Sequence, residues 1–145
     1  MRRLRKSLDC QSGSSAIEFA VAAPVLLILV IGLADGWSLI NFVLNMRAGV
    51  GSAANLYLQG AGDDALVQAA ALENWQDRPE DASLVIERTY LCDGEVVETD
   101  DLCADSRAPS LQLRIVASGT WVAPVEIDIL GTRQTIAHEQ TIRVR

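Results

Sequence analysis

The rule by which apolar residues are placed changes three times along this chain. From Ala16 to Ala34 almost every position is apolar, AIEFAVAAPVLLILVIGLA, with Glu18 the single ionisable group. As a helix this run is about 28 Å long, enough to cross a bilayer core. Beyond it Trp37, Ile40, Val43, Leu44 and Val50 recur at helical spacings among Ser38, Asn41, Asn45 and Arg47. That pattern predicts an amphipathic helical stalk presenting one apolar face. Gly36, Gly49 and Gly51 weaken it, each by up to about 1 kcal/mol relative to Ala, and Gly60-Ala61-Gly62 ends it near Leu58.

A shorter helix follows. Asp63 or Asp64 stands where a cap is needed, and the helix is expected through about Gln76, with Ala65, Ala69, Leu72 and Trp75 on one face and Pro79 beyond its end. From Ser83 the period becomes two. Leu84, Ile86 and Tyr90 alternate with Val85, Glu87 and Thr89, and Asp93-Gly94 offers a hairpin turn into a weaker strand from Glu95 to Thr99. Leu111, Leu113 and Ile115 predict another strand, Val125, Ile127 and Ile129 a further one, and Ile136, Ile142 and Val144 share one parity near the C-terminus. The expected fold is α+β: a long N-terminal helix, a short second helix and a small, mostly antiparallel sheet that buries one face against both. The expected divisions are a basic leader over 1–13, a membrane helix over 14–35, a stalk over 36–60 and an α+β domain over 61–145.

Charge fixes the orientation. Arg2, Arg3, Arg5 and Lys6 precede the apolar run, Asp35 follows it, and the next cation is Arg47. The positive-inside rule places the N-terminus in the cytoplasm and the remainder outside, in the periplasm of a Gram-negative cell. In that oxidising space Cys92 and Cys103 are expected to form a disulfide closing the acidic loop, worth about 3 kcal/mol in loop entropy, while Cys10 stays unpaired on the other side. The net charge is −7, and without residues 1–13, which hold four cations and Asp9, it becomes −10. So acidic a surface, with its remaining arginines scattered, argues against nucleic acid as a partner.

Little in the chain points to catalysis. His138 is the single histidine and falls in a strand pattern, without the companions that a triad or a zinc site requires. The acidic run Asp93, Glu95, Glu98, Asp100, Asp101 and Asp105 lacks the spacing of a calcium loop and reads as a solvated segment. No enzyme activity, cofactor or metal is expected.

Chemistry concentrates instead at Gly13-Ser14-Ser15-Ala16-Ile17-Glu18-Phe19. A protease needs an extended substrate, and Gly13 between Ser12 and Ser14 resists helix and brings no bulk into a narrow cleft. A cut between Gly13 and Ser14 would free an α-ammonium. In a filament of packed helices that ammonium on one subunit can neutralise Glu18 of an axially offset neighbour. This offsets an insertion penalty of roughly 2.5–3.5 kcal/mol at the helix centre, less toward the interface. Pro24 removes the donor that would bond the Ala20 carbonyl, which predicts a bend or a locally melted turn.

The segment Gly13–Pro24, GSSAIEFAVAAP, resembles the N-terminal signature of TadE-like minor pilins of the tight-adherence (Tad, Flp-type) pilus system, and the similarity extends through Gly32-Leu33-Ala34-Asp35-Gly36-Trp37. Trp121, Pro124, Gly131 and Glu139 are also similar to the family, with less specificity, and Asp35 stands where the family more often has glutamate. The resemblance implies cleavage by a membrane-embedded prepilin peptidase after Gly13, with Glu18 as the fifth residue of the mature chain and Phe19 beside it. It implies as partners that peptidase, the major pilin, other minor pilins, the inner-membrane assembly platform and the lipid bilayer. The folded domain suits a minor subunit at a tip or an initiation complex better than a filament shaft. Its expected location is the inner membrane first, then the pilus at the cell surface, where it supports adhesion. The alternatives are a periplasmic binding module held by an uncleaved signal anchor, and a secreted domain released by a signal peptidase.

Overall fold

The computed structural model describes residues 12–97, 102–104, 106–125 and 132–144, with side chains from residue 16 onward. Helix α1 (Ser12–Leu58) runs without a break from the apolar segment into the region read as a stalk. Pro24 lies inside it; of the bend or locally melted turn expected there, the melted turn is not found, since the helix continues on both sides and the bond a proline forfeits is outweighed by its neighbours. The C-terminus of α1 is closed by Gly60 in a left-handed conformation (φ 95°), with Gly60 N donating to the Tyr57 carbonyl and Ala61 N to the Leu56 carbonyl, both at 3.0 Å.

Apolar residues beyond the membrane-length run do not form the single face expected of them. Met46, Val50, Ala53, Ala54 and Tyr57 are buried, whereas Trp37, Ile40 and Leu44 are exposed on the opposite side. Helical spacing alone cannot separate two apolar stripes on one cylinder, and the pattern had merged them. Helix α2 (Asp64–Asn74) ends two residues short of the expected limit. Its N-cap is Asp63, whose Oδ1 accepts from Ala65 N at 2.9 Å and Leu66 N at 3.3 Å. Its buried face is Val67 and Ala71, continued by Trp75; Ala65 and Ala69, expected inward, are exposed. Only Trp75 is common to both faces at full burial, because the bulky ring sets the rotation of a short helix with little other apolar mass.

Four antiparallel strands follow: β1 (Ser83–Cys92), β2 (Glu95–Val97), β3 (Ser110–Val122) and β4 (Arg133–Val144), in the spatial order β2-β1-β3-β4. The β1–β2 turn is Asp93-Gly94, both with positive φ (52° and 94°), the geometry a two-residue hairpin requires. Residues 98–101 lie outside the described set, so the expected extension of β2 to Thr99 does too. The strand expected around Val125–Ile129 falls mostly on 126–131, also outside it, and Val125 itself sits in a bend. Strand β3 runs past Ile115 through Ala117, Gly119 and Trp121, all buried.

One face of the sheet packs against α1 and α2. Leu84 and Ile86 of β1, Leu113, Ile115 and Ala117 of β3, and Ile136 and Ile142 of β4 meet Met46, Val50, Val67 and Trp75 in one core. Phe42 and Trp75 pack edge to face with ring centroids 5.8 Å apart. Small residues permit this closeness. A Cβ on Gly119 would stand 2.8 Å from Pro79 Cγ and 3.1 Å from Trp75 Cη2. The opposite face is mostly polar despite Val85, Val116 and Val122, with Arg114 bridging Glu87 at 3.0 Å and Glu139 at 2.7 Å across three strands. The Cys92–Cys103 disulfide is formed, and Cys103 N donates to the Arg107 carbonyl at 2.8 Å, which folds the loop back on itself.

Candidate functional site

Among the described residues no group of three or more His, Cys, Asp or Glu side chains is placed to hold a metal ion. The feature that demands explanation is the N-terminal half of α1. Its side chains stand outside the folded domain: Ile17 and Phe19 are each 69% exposed, and Val21, Leu26, Leu27, Leu29 and Val30 are exposed beside them. So much contiguous apolar surface is untenable in water and requires a bilayer or other helices to cover it. The helix is long and apolar enough to cross a membrane.

Glu18 sits on this surface among Ile17, Val21, Ala22 and Val25. Phe19 is the next residue, and Pro24 lies further along the same helix. Gly13 and Ser14 stand in the first turn of α1, which begins at Ser12, whereas the Gly-Ser cluster was expected to resist helix. The first four N–H groups of any helix lack intrahelical acceptors, so one turn added at the terminus gains and loses little. An extended substrate at Gly13-Ser14 therefore requires this turn to unwind.

The junction between membrane-length helix and domain was not foreseen in the sequence. Asp35, noted there only as a flanking charge, is 1% exposed, and its Oδ1 accepts from Val125 N at 3.3 Å. One turn further Ser38 Oγ accepts from Trp121 Nε1 at 3.1 Å. The available signal was Asp35 and Ser38 at a spacing of three on a helix, too common to stand out without the partner strand.

At the far end of α1 a second junction is ionic. Arg88 occupies a core-facing position of β1, in phase with Leu84 and Ile86, and reaches the N-terminus of α2. There Nε donates to Asp64 Oδ2 at 3.0 Å and one terminal nitrogen to the Gly62 carbonyl at 3.0 Å. The Tyr57 hydroxyl also donates to Asp64, and the guanidinium lies 5.8 Å from the Tyr57 ring centroid. Hydrogen bonds from Arg88 hold the Asp64 carboxyl below the usual carboxylate range, against the opposing effect of partial burial. This cluster locks α1, α2 and β1 together; it is structural.

Residues 13–55, the segment holding Gly13, Glu18, Pro24 and Asp35, match the family model for TadE-like protein. No curated protein and no solved structure matches the chain.

Proposed function

We propose that this TadE-like chain is a minor pilin of a Tad-type pilus, cut by a prepilin peptidase after Gly13 and acting in pilus initiation or at the tip in support of adhesion. The TadE-like match associates residues 13–55 with a family of structural components of Tad pilus systems. The supporting observation is that this match falls on an exposed apolar helix, too long for its own domain to cover, which carries a folded, disulfide-bonded unit at its far end. In this reading the helix is held first by the inner membrane, with the basic leader in the cytoplasm, and then by the helices of neighbouring pilins. The α+β domain remains outside, and the assembly platform and major pilin are its partners. Glu18 sets the register by pairing with the Ser14 α-ammonium of an adjacent subunit.

Mass spectrometry of the mature N-terminus tests the reading. Ser14 as first residue is the expected result. Met1 would identify an uncleaved anchor, and a start at Asp35 or beyond a secreted domain; either outcome removes the pilin assignment. Deleting the protein should sharply reduce pilus number while the major pilin is still made and processed.

A further inference from the structure

A cavity of about 570 Å³ opens on the flank of α1, between its segment Ser38–Asn45, the α2–β1 connection and the end of β3. That volume falls in the range of small-ligand sites. Its walls are fixed by bonds that do not use up its polar lining. Trp121 Nε1 is held by Ser38 Oγ, Thr120 N donates to Asp81 Oδ1 at 3.1 Å, and Asn41 Nδ2 donates to the Trp37 carbonyl at 2.9 Å. Gly119 adds rigidity, since the close approach of Pro79 and Trp75 leaves no slack behind the wall. Among the described residues, by contrast, the side chains of Asn45, Gln76 and Asp77 have no hydrogen-bond or ion-pair partner. Asp77 also keeps a left-handed backbone (φ 52°), where glycine would be freer, so a carboxylate stands at the rim at some conformational cost.

This lining selects a ligand class. Among the described residues no Lys or Arg lines the cavity, so a phosphate or carboxylate would find no counter-charge there and would face Asp77. Asn45 and Gln76 are carboxamides, each offering donors and an acceptor on one planar group; Asn41 keeps one N–H and its carbonyl, and Asp77 adds an acceptor pair. Vicinal hydroxyls, each both donor and acceptor, complement that set. Phe42 and Pro79 supply apolar contact for a ring's C–H face. We propose that this cavity binds a neutral saccharide. Ser38 lies about 6 Å along the helix beyond Ala34, at headgroup level if α1 crosses a bilayer. The sugar can therefore come from a glycolipid headgroup or from a soluble glycan, and only the first source rests on the membrane reading above.

The test uses the full chain with isotope-labelled side-chain carboxamides. In one arm, methyl glycosides of glucose, galactose, mannose and N-acetylglucosamine are titrated into the protein in mild detergent. In the other, lipid nanodiscs with and without glucosyl-diacylglycerol are compared. The expected result is a saturable shift of the Asn45 and Gln76 carboxamide signals in at least one arm, weakened about tenfold or more by Gln76→Ala and by Asp77→Gly. The responding arm identifies the source. Both substituted side chains are exposed and Asp77→Gly relieves backbone strain, so an unchanged amide spectrum in each variant separates lost recognition from lost fold. No saturable shift in either arm, preferential saturation by ethanolamine or inorganic phosphate, or undiminished binding by Asp77→Gly would overturn the proposal. Because the detergent arm needs neither cleavage nor a bilayer, it can succeed where the pilin reading fails, and the reverse.

Discussion

The carboxylate of Asp35 accepts the backbone N–H of Val125 at 3.3 Å, joining the helix just past its apolar run to the connection that leaves β3. With the Trp121–Ser38 bond one turn away, this contact fixes the end of the sheet against α1. The domain is thereby held at a defined height above the apolar segment, so movement of the helix is transmitted to the domain.

Asp35→Ala should lower stability by about 1–2 kcal/mol, because it leaves the partly buried Val125 N–H without its acceptor. Asp35→Asn keeps an acceptor and removes only the charge, so it should stay within about 1 kcal/mol of the unaltered chain. Denaturant midpoints in detergent, with hydrogen exchange at Val125, distinguish the two. Equal losses would mean that the charge, not the acceptor, is what the site uses.

Two helix glycines two residues apart should respond oppositely to alanine. At Gly49 an added Cβ would stand 3.0 Å from the Ala71 carbonyl oxygen and 3.2 Å from Trp75 Cβ, so α1 and α2 approach this closely only because the side chain is absent. Gly49→Ala should cost about 1–3 kcal/mol. At Gly51 nothing lies within 4 Å, and Gly51→Ala should stabilise by up to about 1 kcal/mol through helix propensity. Thermal unfolding of the two variants side by side is the measurement.

The same pair shows what was legible in the sequence. Both glycines read as mere weaknesses of a helix, since propensity is local and the neighbour that makes Gly49 necessary comes from α2. The hairpin at Asp93-Gly94, the stop after Leu58 and the alternation of Leu84 and Ile86 were readable because each is encoded by adjacent residues. The continuation of β3 through Ala117-Ser118-Gly119 was not. Its small residues are chosen by Trp75 and Pro79 packing above them, and so they look like a poor strand. Arg88 broke the apolar alternation of β1 for a similar reason, its partner Asp64 lying 24 residues earlier. At the candidate site the motif from Gly13 to Pro24 was plain, whereas the buried role of Asp35 depended on a contact 90 residues away.

Reduction of the Cys92–Cys103 disulfide should destabilise the domain by about 3 kcal/mol, the loop entropy for a sequence separation of 11. The loss should centre on the β1–β2 hairpin and the 103–107 turn, far from the α1–α2 contact. Comparing denaturation of the unaltered chain with and without reductant, and with a Cys92→Ala/Cys103→Ala variant, checks both size and place. Protection lost first around Gly49 and Trp75 would contradict this localisation.

Acid should weaken the fold through the carboxylates that are held ionised. Asp64 is kept below the usual carboxylate range first by Arg88, Glu139 by Arg114, and Asp81 by Thr120. Their native state therefore binds fewer protons than the unfolded one. The stability they contribute is fully present above the ordinary carboxylate range and is lost as pH falls through about 4 and below. The melting temperature should be flat from about pH 7 to 5 and then decline. Arg88→Ala should lower the plateau and flatten the decline, since Asp64 would titrate at a more ordinary pH; an unchanged acid limb would show that Arg88 contributes nothing to it.

Cleavage and assembly should separate at two residues five positions apart. Gly13→Ala adds a methyl at the proposed cleavage bond and strengthens the helical first turn that such a cut would have to unwind, so the protein should accumulate with its N-terminal leader intact. Glu18→Ala leaves the proposed cleavage bond untouched and should be processed to Ser14, yet it removes the carboxylate proposed to meet a neighbour's new α-ammonium. Membrane insertion of Glu18→Ala should be easier, since the charge penalty at this depth disappears. Its incorporation into pili should nevertheless fall, with processed protein left in the inner membrane. Immunoblots of membrane and sheared pilus fractions, with the N-terminus read by mass spectrometry, distinguish these outcomes. Wild-type amounts of Glu18→Ala in the pilus fraction would refute a register role for this carboxylate, while blocked cleavage would place Glu18 in peptidase recognition instead.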